Sequence, residues 1–220
     1  MAASLDVWSD SLKPRLRGWL HAGAVPLMVT GGVVLIVLAP TGAAKAALSV
    51  YLASALVLFG TSATYHIGRW TPRVSAVLRR IDHSNIFLFI AGTYTPLAVL
   101  LLRGSARLSI LAVIWAAAGL GVCFRVFWMS APRWLYVGLY IFMGWAAIWW
   151  LPQLGAAGGP VVVGLVIGGG VAYSLGALVY ARRRPDPVPG WFGFHELFHS
   201  CTLVASALHF CAIALALRRA

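Results

Sequence analysis

Long apolar runs broken by short polar punctuation dominate this chain. Seven are read, at about 22–39, 46–67, 82–102, 108–127, 134–151, 161–181 and 193–217. A membrane-spanning helix needs about 20 mainly apolar residues, so each run is a candidate crossing. Turn signals separate them: Pro40-Thr41-Gly42, Thr71-Pro72, Arg103-Gly104-Ser105, Ala131-Pro132, and the stretches 155–160 and 185–190. The pattern predicts an all-α integral membrane protein of seven transmembrane helices. A short tail occupies residues 1–20 and one seven-helix domain residues 21–220. There is no internal repeat or long linker, and an odd count of crossings argues against two equal inverted halves.

Composition supports this reading. Hydrophobic residues make up 61% of the chain and charged residues 10%, where a soluble domain carries roughly 25% charged. Mean hydropathy is +0.87. A multi-pass protein of the cell membrane follows. The net charge of +12 does not mark a nucleic-acid partner, because the arginines lie between apolar runs and form no basic domain.

Those arginines carry topology instead. With the N-terminus cytoplasmic, the inner segments hold Lys13, Arg15, Arg17, Arg69, Arg73, Arg79, Arg80, Arg125, Arg133, Arg182, Arg183 and Arg184. The outer segments hold Lys45, Arg103, Arg107, Arg218 and Arg219. Twelve against five predicts a cytoplasmic N-terminus and a C-terminus outside. Trp70, Trp128, Trp134 and Trp191 flank the inner ends, and Trp149 with Trp150 the outer end of the fifth run, as interfacial aromatics do. Run 22–39 ends at Ala39-Pro40, a poor cleavage context, and reads as a retained first span. Cys123, Cys201 and Cys211 lack CxxC spacing and read as small packing residues rather than a disulfide framework.

The ionisable residues inside the runs carry the chemistry, because such groups are expensive in a membrane and usually functional. Of five acidic residues, Asp82 and Glu196 stand at the start of apolar spans, each beside a histidine. In His195-Glu196-Leu197-Phe198-His199 the two imidazoles share one helix face and can serve one metal ion. The predicted topology brings His66, Asp82, His195 and His199 to one depth near the cytoplasmic side, with Ser62 one turn from His66 on the same face. Three histidines suffice for zinc with a fourth position left for water, and Asp82 suits a role holding that water. The bland alternative is that these histidines cap helices or bond to neighbours at the interface. His83 points about 100° away from Asp82, toward headgroups or another helix. His209 lies about 15 Å deeper than His199 and reads as a structural hydrogen bond between helices. His21 reads as an interfacial anchor.

Three stretches carry a resemblance. Ser62-Ala63-Thr64-Tyr65-His66, then Leu78 through Phe87 with Arg79-Arg80-Ile81-Asp82-His83-Ser84-Asn85, then Ala91-Gly92-Thr93-Tyr94-Thr95-Pro96, are similar to the signature of bacterial hemolysin III-like proteins. The last run, with His195, His199 and His209, resembles their final helix. That family belongs with the progestin and adipoQ receptors, which include the adiponectin receptors. The resemblance covers about residues 13–217. It implies seven helices with a cytoplasmic N-terminus, and zinc held by His66, His195 and His199 with Ser62 and Asp82 beside it. The wider superfamily includes alkaline ceramidases, so the resemblance also implies hydrolysis of lipid amides. It does not imply a hormone-receptor role.

Three functions compete. The first is a zinc-dependent hydrolase of lipid amides or esters, with a membrane lipid or fatty acid in an intramembrane cavity. Asp82 would be its base and Ser62 would help stabilise the oxyanion. The second is an intramembrane metalloprotease, since residues 195–199 satisfy H-E-x-x-H. Against it, no Asp or Glu follows His199, and the next histidine comes ten residues on rather than six. The third is non-enzymatic: a sensor, receptor or membrane-perturbing protein with structural zinc. A wide monomeric pore is disfavoured, because the spans lack polar stripes.

Overall fold

The computed structural model describes residues 14–219. Most of the tail expected at 1–20, including Lys13, lies outside them, as does Ala220. The helices are α1 (Trp19–Leu38), α2 (Gly42–Ile67), α3 (Pro72–Leu101), α4 (Gly104–Phe127), α5 (Arg133–Gly144), α6 (Leu151–Arg182) and α7 (Phe194–Leu217). A 3-10 turn, Ala146–Trp150, joins α5 to α6. Among the described residues no strand forms beyond an isolated bridge between Val188 and Phe192. Among the described residues six segments are long and apolar enough to cross a membrane: Trp19–Leu38, Gly42–Ile67, Pro72–Leu101, Gly104–Phe127, Arg133–Arg182 and Phe194–Leu217.

Two helices start on side-chain caps. Thr41 Oγ1 accepts from the Ala44 amide at the head of α2, and Thr71 Oγ1 from the Val74 amide at the head of α3. Each cap satisfies a donor that the first helical turn leaves free. Pro72 sits at the first position of α3, where its missing N–H costs nothing. The apolar run had placed this start near residue 82, ten residues late. Hydropathy registers only the part of a helix that is apolar, whereas the first turns of α3 carry Arg73, Arg79 and Arg80. Asp82 therefore stands about three turns inside α3.

The fifth and sixth apolar runs form one 50-residue helical stretch, Arg133–Arg182, broken at two places. After Gly144 the chain tightens into the 3-10 turn. The Tyr94 hydroxyl of α3 donates to the Gly144 carbonyl at 2.7 Å and accepts from the Ala147 amide at 2.8 Å. It thereby satisfies backbone groups that the break would strand. The second break is Gly159, at φ 77° inside α6 and directly before Pro160. A positive φ suits glycine, and proline cannot continue the ladder behind it. On the two sides of this break Arg133 Nη1 bonds to the Tyr180 carbonyl and Trp145 Nε1 to Ser174 Oγ.

Small residues let the site helices approach. Ala55, Ser62 and Ala63 on α2 are buried, as are Ala91, Gly92 and Ala98 on α3. Close backbone approach through small side chains is the usual device of helices in lipid. Asn85 Nδ2 then bridges from α3 to Thr61 Oγ1 of α2 at 2.7 Å. Helix α7 packs most extensively on α6, where His209 Nε2 lies 3.2 Å from the Val166 carbonyl. That is the interhelical role expected of His209.

Five of the six tryptophans read as interfacial anchors are exposed, Trp70, Trp128, Trp134, Trp149 and Trp191, while Trp150 is half-buried. Cys123, Cys201 and Cys211 are free thiols.

Candidate metal centre

His66 reaches the site from the last turn of α2, and His195 and His199 from the first turns of α7. Their facing Nε2 atoms place His66 3.3 Å from His195. One ligand atom from each of His66, His195 and His199 falls within 4.8 Å of the other two. With metal–nitrogen bonds of about 2.0–2.1 Å in a tetrahedron, ligating nitrogens stand roughly 3.3 Å apart. The His66–His195 spacing matches that edge. A buried ring nitrogen of His199, Nδ1, has no hydrogen-bond partner among the described residues. Three converging imidazoles form a group able to hold a metal ion.

Asp82 and Ser62 are drawn to the same place. Asp82 Oδ2 stands 3.8 Å from His66 Nε2, too far for a direct hydrogen bond. The Ser62 side chain lines the same cavity as the Asp82 carboxylate. All five residues singled out from the sequence thus lie together, on three helices.

The α7 entry follows from its acids. Glu196 is fully buried: its Oε2 accepts from the Gly193 amide at 2.8 Å and its Oε1 from Arg17 Nε at 2.8 Å. Asp186 Oδ1 accepts from the Phe194 amide at 2.7 Å. Carboxylates at a helix N-terminus satisfy free donors and meet the positive end of the helix dipole. Glu196 is therefore a structural residue whose two oxygens are both engaged. That arrangement removes the general base which the H-E-x-x-H reading requires.

His21 is the residue that the sequence reading misplaced. It is no interfacial anchor but is 3% exposed, with its ring stacked on His199 at a centroid distance of 3.8 Å and 12° between planes. Phe59 meets it edge-on at 5.0 Å. The cause lies in the chain before it. The Arg15 and Leu16 amides bond to the Gly190 and Trp191 carbonyls, and Gly18 turns with φ 85°. A side chain at Gly18 would collide with Ile67 and His66, so only glycine lets the chain pass over the end of α2. No periodicity in the sequence signals this strap.

His83 and Arg125 form a second pair missed from sequence. Arg125 had been counted with the inner loop charges, yet it is 1% exposed. Its Nη2 lies 2.6 Å from His83 Nδ1, and its guanidinium covers the Tyr136 ring at 4.3 Å.

Two cavities meet at the centre. One runs inward from Ser62, Asp82 and His199 to His209 and has mainly apolar and aromatic walls, including Phe89, Tyr140 and Tyr173. The other opens beside His66 and is lined by arginines. His83, Tyr136, Tyr180 and His195 border both.

The comparisons with known proteins fit this picture. The family model described as "Haemolysin-III related" matches residues 10–210. "Hemolysin-3" of Bacillus cereus is 33% identical over 170 residues, 77% of this chain and 74% of that protein. "Hemolysin-3 homolog" of Bacillus subtilis (strain 168) is 30% identical over 166 residues, 75% of each chain. "Progestin and adipoQ receptor-like protein 1" of Caenorhabditis elegans is 24% identical over 196 residues, with 43% of its length covered. Family membership and six apolar helices together make this a multi-pass membrane protein, which in bacteria resides in the cell membrane. By a match over nearly its whole length, the chain belongs to the haemolysin-III related family.

Proposed function

We propose that this protein is a zinc-dependent hydrolase of lipid amides or esters. The observation that carries the reading is the placement of the histidine triad, Asp82 and Ser62 at the end of a mainly apolar cavity. The donor set is all imidazole, which suits zinc. Bound zinc would supply Lewis acidity and an activated water near neutral pH. Asp82 lies close enough to His66 to accept the proton of an attacking water held between them. The Ser62 hydroxyl, in the same cavity as that carboxylate, can donate to the developing oxyanion. The cavity toward His209 takes the acyl chain, over about 15 Å of α7.

The same reading takes the protein as a seven-crossing bundle with the N-terminus cytoplasmic and the C-terminus outside. Gly159 supports the seventh crossing. The bonds from Arg133 to Tyr180 and from Trp145 to Ser174 pair rising with falling residue numbers, as antiparallel neighbours do.

One observation favours a second reading, a sensor with structural zinc. The His21 ring lies flat on His199 and narrows that side of the centre. Metal analysis and turnover decide between the two. About one zinc per chain is expected, lost in His66→Ala, His195→Ala or His199→Ala. Asp82→Asn should keep zinc and fold but lose about 10²-fold or more in fatty-acid release from lipid amides and esters. Full zinc loading with no release from any lipid in such a panel would sink the hydrolase and leave the sensor.

A further inference from the structure

The basic cavity beside His66 has a volume of about 450 Å³ and is lined by Arg17, Arg79, Arg125, Arg133 and Arg183. Among the described residues no Asp or Glu lines it. Glu196, the nearest fixed negative charge on α7, is already paired with Arg17. Among the described residues the other four arginines have no carboxylate partner. Arg125 is the telling member. It is 1% exposed, and among the described residues its Nε and Nη1 have no hydrogen-bond partner. Among the described residues its guanidinium meets the His83 ring nitrogen and the face of Tyr136. Burying a guanidinium without a counter-ion is strongly unfavourable unless an anion completes the site.

We infer that this chamber binds a phosphoryl anion, with Arg79, Arg125 and Arg133 as its principal donors. Two features favour phosphate over a lone carboxylate. A phosphomonoester brings about two negative charges and three strong acceptor oxygens, which suits several uncompensated arginines. The guanidinium fork matches phosphate oxygens two at a time, and Arg125 is held in place by His83 and Tyr136. The chamber shares His83, Tyr136, Tyr180 and His195 with the apolar cavity. A phosphorylated amphiphile can therefore set its head among the arginines and its chain along α7, with the triad between. This names the head group of the lipid in the reading above, yet it is a statement about binding and does not depend on hydrolysis.

The test uses the full chain in neutral detergent with its metal bound. Fluorescent phosphatidic acid is titrated, with phosphatidylcholine as the control lipid and inorganic phosphate as both competitor and direct ligand. Phosphatidic acid is expected to bind at least about tenfold tighter than phosphatidylcholine. Arg79→Gln and Arg133→Gln should each weaken it by about tenfold, the scale of one charge-assisted hydrogen bond. Arg103→Gln, beyond the other end of α3, should leave it unchanged. Arg125→Lys keeps the charge without the fork and should weaken binding with the fold intact. Competition by phosphate supports a shared phosphoryl site. Direct phosphate binding that needs Arg79 and Arg133, without phosphatidic acid binding, also supports the site and assigns it a soluble ligand. Equal affinity for both lipids with no phosphate binding overturns the proposal. So does a loss in Arg103→Gln as large as in Arg79→Gln, which would mean nonspecific attraction to surface charge.

Discussion

Both oxygens of Glu196 are spent on holding the entry to α7, one on the Gly193 amide and one on Arg17. Glu196→Gln keeps an acceptor for the amide but removes the charge opposite Arg17. It is expected to cost about 1–3 kcal/mol, read as a lower melting temperature in detergent, while zinc stays bound. Loss of the metal in this variant would contradict the structural role. His21 gives a second expectation at this scale. Its ring packs flat on His199 and buttresses the orientation of that candidate ligand. His21→Phe should preserve zinc affinity, because an aromatic ring of similar size remains. His21→Ala should lower affinity by roughly tenfold, the lower end of what supporting residues contribute. Chelator competition measures both. Equal affinity in wild type and His21→Ala would leave the stack without influence on the metal.

Helix spacing decides whether Asp82 can stand beside the triad, since His66 rides on α2 and Asp82 on α3. Gly92 is a point of close approach between these helices. A Cβ there would collide with Ser54, whose hydroxyl is already committed to the Tyr51 carbonyl. Gly92→Ala should therefore destabilise by about 1–3 kcal/mol, the usual cost of overpacking. Gly60→Ala on α2 meets nothing within 4 Å and serves as the control, neutral or slightly stabilising. Thermal melts of the two variants side by side check this, and equal melting temperatures would contradict it. The Ala91–Pro96 stretch also gains a physical meaning here. Its recurrence as a signature says nothing of mechanism, but Tyr94 bridges the break between α5 and the 3-10 turn, and Thr95 accepts from Trp115 of α4.

Across the whole molecule the charge bias and the break at Gly159 bear on one question, the number of crossings. Seven crossings put the two termini on opposite sides of the membrane. Reporter fusions at residue 1 and after Ala220 should give a cytoplasmic signal only from the first. The same signal from both ends would contradict the seven-crossing reading. Six apolar segments are plain by length and composition, and the 50-residue stretch Arg133–Arg182 is the one that divides the counts.

Hydropathy alone determined that this chain is a helical membrane protein, because a run of about twenty apolar residues has few other stable uses. It also exposed Ser62, His66, Asp82, His195 and His199, since ionisable or polar groups stand out against an apolar background. Local pattern placed these residues at one depth, and depth is a one-dimensional quantity that helix length supplies. Only tertiary structure decided the lateral contacts. The stack of His21 on His199, the burial of Arg125 against His83 and the engagement of Glu196 by Arg17 each join residues from different helices or from the strap before α1. Arg125 and His83 are 42 positions apart, and Arg17 and Glu196 are 179. Such pairs depend on how helices are arranged around one another, and neither periodicity nor composition along a single segment encodes that arrangement.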